Sequence, residues 1–108
     1  MNNIETNNAT KCDQACISLK TVDDPEIGLN VVDLGLIYAL DFDENNKKVQ
    51  CTMTLTTTFC PMGESITSNV MMALEMSFPG YEIDVHLVFD PPWGFHMISE
   101  EGRIFLGR

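Results

Sequence analysis

"VQCTMTLTTTFCPMGESI", residues 49–66, carries a strand into a helix, and the reading of that joint decides the fold. Val49, Cys51, Met53 and Leu55 point one way and Gln50, Thr52, Thr54 and Thr56 the other. That is the period-two pattern of a strand with one dry face. Helical spacing then takes over, with Met62, Ile66, Val70, Ala73, Leu74 and Ser77 on one side. Pro61 suits the first helical position, and Pro79-Gly80 stops the helix.

Upstream, "LIYALDFD" (36–43) alternates in the same way, with Leu36, Tyr38, Leu40 and Phe42 expected on the apolar face. The polar loop "DENNKK" joins it to the next strand as a hairpin, so the two run antiparallel. Downstream, "YEIDVHLVFD" (81–90) sets Tyr81, Ile83, Val85, Leu87 and Phe89 against Glu82, Asp84, His86 and Asp90. A helix separates this strand from the one before it, which predicts a parallel pair with a right-handed crossover. Residues 10–21 read as a short helix with Cys12 and Cys16 on one face. After the Pro-Pro run, a last short helix is expected to end at Gly102. The expected fold is a single α/β (α+β) domain in the order α-β-β-α-β-α. It has a small mixed three-stranded sheet, a hairpin plus a parallel crossover, with helices mainly on one face. The domain is expected over residues 11–108, with the polar, Asn-rich residues 1–10 as a flexible tail.

A chain of 108 residues with 44% hydrophobic residues fits one globular domain. Six Lys+Arg against 16 Asp+Glu give a net charge of −10, which opposes binding to nucleic acid or anionic membrane. No apolar run approaches the roughly 20 residues that span a bilayer. "MNNIETNNATK" lacks the basic-then-apolar order of a signal peptide, so the cytoplasm is the expected location and Cys12, Cys16, Cys51 and Cys60 are expected as reduced thiols. No CxxC pair occurs, and His86 and His96 stand at non-motif spacing, which excludes a dithiol motif and a four-ligand zinc finger.

The predicted topology brings three separate segments to one sheet edge. The end of the second strand brings Thr57, Thr58 and Cys60. The end of the third brings Asp90, Pro91, Pro92 and Trp93. Ahead of the first come Asp24, Glu26 and Asp33, with Asp24-Pro25-Glu26 and Asp33-Leu34-Gly35 as turns. Ligand sites in such sheets lie beyond the carboxyl ends of parallel strands. Cys60 directly precedes a helix, where free N–H groups and the dipole favour a thiolate. The acids of the other segments push the other way, so the sign of its pKa shift stays open. A residue that only caps the helix fits the same position.

"DDPEIGLNVVDLGLIY", "MTLTTTFCPMG" and "DPPWGFHMISEEGR" together resemble, in order and spacing, the MIP18 family, once called domain of unknown function 59. Its bacterial members include SufT-like iron–sulfur assembly proteins, and a related branch holds PaaD-like proteins. The resemblance covers residues 14–108. It implies an α/β domain of this layout and a role as an accessory factor in maturing iron–sulfur proteins. The family's characteristic positions fall on Asp24, Pro25, Glu26, Asp33, Gly35, Thr56, Thr57, Cys60, Pro61, Asp90, Pro91, Pro92 and Trp93. The chain departs at Thr58-Phe59, where many members carry Pro-Gly ahead of the cysteine. It has no GxxxxGK[ST] loop, so no nucleotide is expected.

On this reading Cys60 is the candidate ligand for iron or a transient iron–sulfur cluster. The expected partners are assembly proteins, client apoproteins and a second copy of the chain, because clusters usually take four protein ligands and one thiol supplies one. Two other readings stand beside it. One is a non-catalytic adaptor of a PaaD-like, oxygenase-associated complex with a structural Cys60. The other is an enzyme with a Cys60 nucleophile, against which counts the absence of any histidine but His96 near the motifs.

Overall fold

The computed structural model describes residues 4–56 and 63–107. Its elements are β1 (Glu5–Thr6), α1 (Ala9–Leu19), β2 (Asp23–Asp24), β3 (Leu29–Asn30), β4 (Ile37–Asp43), β5 (Lys48–Met53), α2 (Gly63–Ser77), β6 (Glu82–Leu87), a 3-10 turn at Phe95–Met97 and α3 (Glu100–Leu106). The hairpin β4–β5 is antiparallel and β5–β6 is parallel, as the sequence predicts. The main sheet has four strands in the order β1-β4-β5-β6, not three, and β2 and β3 form a separate ribbon.

The added strand comes from residues set aside as a tail. β1 pairs in parallel with β4, Glu5 beside Ala39 and Thr6 beside Leu40. Beyond it, the Asn7 side chain stands in for another strand residue. Its Nδ2 donates to the Phe42 carbonyl and its Oδ1 accepts from the Phe42 N–H, both at 2.9 Å. Two residues are too few to show an alternation, and the pairing that makes them a strand lies 34 positions away. Asn8 then caps α1, its side chain accepting from Lys11 N at 3.0 Å.

The core lies between the sheet and helices α1 and α2, which pack on each other, with α2 also against β6. Val49, Cys51 and Met53 are fully buried, and so are Ile66, Val70 and Leu74 of α2 and Ala15 and Leu19 of α1. Phe42, Phe78 and Tyr81 close one end through edge-to-face contacts of 5.3 and 5.9 Å.

β4 breaks its alternation. Ile37 pairs with Met53, yet Ala39 pairs with Thr52, so Tyr38 and Ala39 together oppose one residue. This is a β-bulge. It keeps Leu40 and Phe42 on the core side and takes Tyr38 off it. The Tyr38 hydroxyl, expected inward, donates to the Pro91 carbonyl at 2.8 Å. The expected helix stop at Gly102 is also corrected. Gly102 lies buried inside α3, where a Cβ would fall 2.8 Å from Ile98 and 2.9 Å from Leu29. The left-handed Gly107 (φ 73°) ends the helix.

Asn7→Ala removes two bonds to one β4 residue and is expected to lower the unfolding free energy by about 1 kcal/mol. Urea denaturation checks this, and an unchanged midpoint would mean that the β4 edge does not depend on the N-terminal segment.

Candidate functional site

The carboxyl ends of β5 and β6 and the start of β4 lie at one edge of the sheet, as the register requires. Backbone bonds hold the segments there. Thr54 N donates to Leu36 O and Val88 N to Met53 O, each at 2.8 Å. The C-terminal run is stitched to the 33–36 turn by three further bonds. Trp93 Nε1 donates to Leu34 O at 2.7 Å. Ser99 N donates to Asp33 O at 2.8 Å, and Ser99 Oγ donates to Asp33 Oδ1 at 2.7 Å. Asp33, Thr56, Asp90 and Trp93 therefore gather at this edge. Thr56 and Trp93 are half-buried and Asp90 is exposed.

Asp33 is buried, and both its oxygens are occupied. Oδ2 accepts from Asn30 Nδ2 at 2.7 Å and Oδ1 from Ser99. Burial pushes its pKa up, but the bonds from Asn30 and Ser99 and the Lys20 charge outweigh this and hold it below the usual carboxylate value. Ser99 is also the N-cap of α3, accepting from Gly102 N at 3.0 Å. Gly35 completes the junction. Its φ is +79°, and a Cβ there would sit 2.3 Å from the Met97 carbonyl oxygen, so only glycine fits.

Asp24 and Glu26 belong to the β2–β3 ribbon, in which Asp23 pairs with Asn30. That pairing sets the ribbon beside the Asn30–Asp33 bond. Asp24 caps its own turn, as expected. Its Oδ1 accepts from Glu26 N at 2.9 Å, and its carbonyl accepts from Ile27 and Gly28 N. Its other oxygen, Oδ2, is buried without a hydrogen-bond partner among the described residues. Glu26 is exposed at the tip. Thr57, Cys60 and Pro61 lie outside the described residues.

The other thiols are placed as the alternation predicts. Cys51 is fully buried, and burial pushes its pKa up to about 12. Burial does the same to Cys16, also to about 12, and raises Cys12. Among the described residues no three His, Cys, Asp or Glu side chains converge as a metal site, and no helix is long and apolar enough to cross a membrane. His96 is exposed and lines a cleft of about 1000 Å³ with Tyr38, Thr52 and Arg103, on the face that the bulge gives to Tyr38.

Sequence reading missed Asn30 and Ser99, the two donors that make Asp33 a structural acid. Weak signals were present. Asn30 stands three before Asp33, the spacing of a side chain that bonds back to the backbone. Ser99 precedes Glu100 and Glu101, as an N-cap does.

A carboxylate with a lowered pKa stabilises the fold above its unfolded value and loses that contribution as pH falls through the folded one. The ordinary value of an aspartate is 3.8, so the loss begins below about pH 4. Asp33→Asn is expected to destabilise by about 2 kcal/mol at pH 7, with the gap to wild type narrowing on acidification below pH 4. Denaturant midpoints at both pH values test this, and a gap that does not change with pH would mean that Asp33 acts without its charge.

Residues 14–86 match the model of a family described as iron–sulfur cluster assembly protein. The chain is 39% identical over 90 residues to the "Fe-S protein maturation auxiliary factor YitW" of Bacillus subtilis, across 83% of this chain and 87% of that one. It is 43% identical over 89 residues to an "Fe-S protein maturation auxiliary factor" of Porphyromonas gingivalis, across 82% and 84%. Its fold is similar to the crystal structure of a domain of unknown function 59 from Bacillus anthracis, with a TM-score of 0.83 and 37% identity over 93% of this chain and 98% of that one. Sequence match and fold match agree, and the chain belongs to the iron–sulfur cluster assembly protein family, also known as the MIP18 family or domain of unknown function 59.

Proposed function

We propose that this chain is an accessory factor that helps mature iron–sulfur proteins without catalysing a reaction of its own, and that Cys60 is its thiolate ligand for the iron or cluster in transit. The observation that carries the reading is the family match over residues 14–86 together with relatives named as maturation auxiliary factors. The cargo is a substrate that passes through, so a partial ligand set is an advantage: a cluster held by all four protein ligands would be hard to release. Assembly proteins and client apoproteins then supply the remaining ligands. An acidic surface suits docking against basic patches.

Asp24 is the carboxylate that we assign to assist. Its Oδ2 is buried and has no partner among the described residues, and such an oxygen is costly unless a donor or a cation meets it. Asp33 has its oxygens committed to Asn30 and Ser99 and is assigned the supporting role. Thr56, Thr57, Glu26, Asp90 and Trp93 complete the proposed surface around Cys60.

Cys60→Ser is expected to keep the fold and abolish the support of iron–sulfur enzymes in a cell lacking its own copy. Serine preserves size and capping, but its hydroxyl stays protonated at neutral pH. Where Cys60 also serves as a helix cap, as the sequence reading allows, Cys60→Ala is expected to lose about 1 kcal/mol of stability, and it is expected to fail functionally as the serine variant does. Anaerobic iron and sulfide reconstitution followed by absorption spectroscopy reads the binding step directly. Full complementation by Cys60→Ser would overturn the ligand role and leave the adaptor reading.

A further inference from the structure

β6 is the far edge of the main sheet, paired on one side only. Its parity is fixed by the bonds at its two ends. Glu82 N donates to Lys47 O and Val88 N to Met53 O. In a parallel ladder, the N–H and C=O groups of Glu82, Asp84 and His86 therefore face β5, and those of Ile83, Val85 and Leu87 point out from the sheet edge. Among the described residues nothing meets those three. The edge is also apolar on its core side. Ile83 and Val85 are only half-buried and Leu87 is 42% exposed. On α2, which packs against β6, Met72 and Met76 stand one turn apart, 56% and 81% exposed. Six unpaired backbone groups beside exposed apolar surface are what natural sheets cover.

We infer that the occupant is a second copy of this chain, paired antiparallel through β6 about a two-fold axis at Val85. Charge selects both the partner and the register. Three alignments set at least two of the outward residues of each copy opposite one another. Centring on Asp84 sets Asp84 against Asp84, and centring on His86 sets His86 against His86, like against like. Centring on Val85 sets Asp84 of each copy opposite His86 of the other, twice. It also sets Ile83 opposite Leu87 and Val85 opposite Val85. Asp84 and His86 already associate within one chain, with His86 Nε2 3.0 Å from Asp84 Oδ2. The interface is isologous, as two-fold dimers require, and the sheet becomes continuous over eight strands. Both core faces then lie on the same side, so the two α2 helices flank each other and their exposed methionines gain cover. The charge of −10 per copy works against association at long range, so the dimer forms at high protein concentration and in salt.

Sedimentation equilibrium at up to about 1 mM protein, in salt that shortens screening below roughly 8 Å, is expected to show a monomer–dimer equilibrium. His86→Glu sets two carboxylates face to face at each crossing and is expected to weaken the dimer by about tenfold or more. Adding Asp84→Lys to it restores opposite charges, and with them the affinity. Both residues concerned in these swaps lie on the exposed face of the edge, and wild-type unfolding midpoints at low concentration confirm intact monomers. Amide exchange reads the register. The N–H groups of Ile83, Val85 and Leu87 are expected to slow as protein concentration rises, while those of Asp84 and His86, already bonded to β5, do not change. A chain that stays monomeric at 1 mM, exchange rates independent of concentration, or a His86→Glu variant that dimerises like wild type each overturns the inference. Protection of the three amides only when a client protein is added would assign the edge to a partner's strand and overturn it as well.

Discussion

The carboxylate of Asp33 holds together parts of the chain that no local rule would join. It accepts from Ser99, 66 positions away, and from Asn30 three positions before it. A buried acid without such donors would cost several kcal/mol. With both oxygens satisfied, the cost becomes a constraint, because the bond from Ser99 places α3 on the 33–36 turn. Trp93 and Gly35 depend on that placement. The indole reaches Leu34 O only when residues 91–99 lie over the turn, and the Met97 carbonyl comes so close to Gly35 that no side chain fits.

The bulge at Tyr38–Ala39 is the second half of the same construction. Without it, Tyr38 would point into a core already filled by Leu40, Cys51 and Met53. With it, the hydroxyl reaches Pro91, and the segment that follows β6 is held across the face of the sheet opposite α1 and α2. Both devices act at the edge where β5 and β6 end. The framework around the Thr56 end of β5 is thereby fixed by groups that belong to neither strand.

How far this was legible follows from the range of each interaction. The hairpin, the crossover and the helices follow from periodicity and short-range stops, and all three are present. Asp24 as a turn cap is local too, since the N–H it binds lies two residues on. What escaped are contacts whose partners lie far apart in sequence. β1 exists only because β4 offers an edge, and Gly102 sits mid-helix only because Leu29 and Ile98 press on it. The roles of Asn30 and Ser99 appear only once Asp33 is known to be buried. Asp33 stood out in the sequence as a site candidate, but its residue type alone could not tell an acid that reacts from an acid that fastens.

The distribution of the thiols gives the argument for Cys60 its physical form. Burial drives the pKa of Cys16 and Cys51 to about 12 and raises that of Cys12, so these three are protonated near neutral pH and act as small apolar residues. Of the four cysteines, a function that needs a thiolate falls to Cys60. One thiolate is too few to keep a cluster and enough to pass one on. In the proposed role, transfer depends on how well the neighbouring backbone is held while ligands exchange. The Asp33 clasp and the Tyr38 bulge supply that rigidity from outside the proposed ligand set, so in the proposed role they can persist unchanged through ligand exchange.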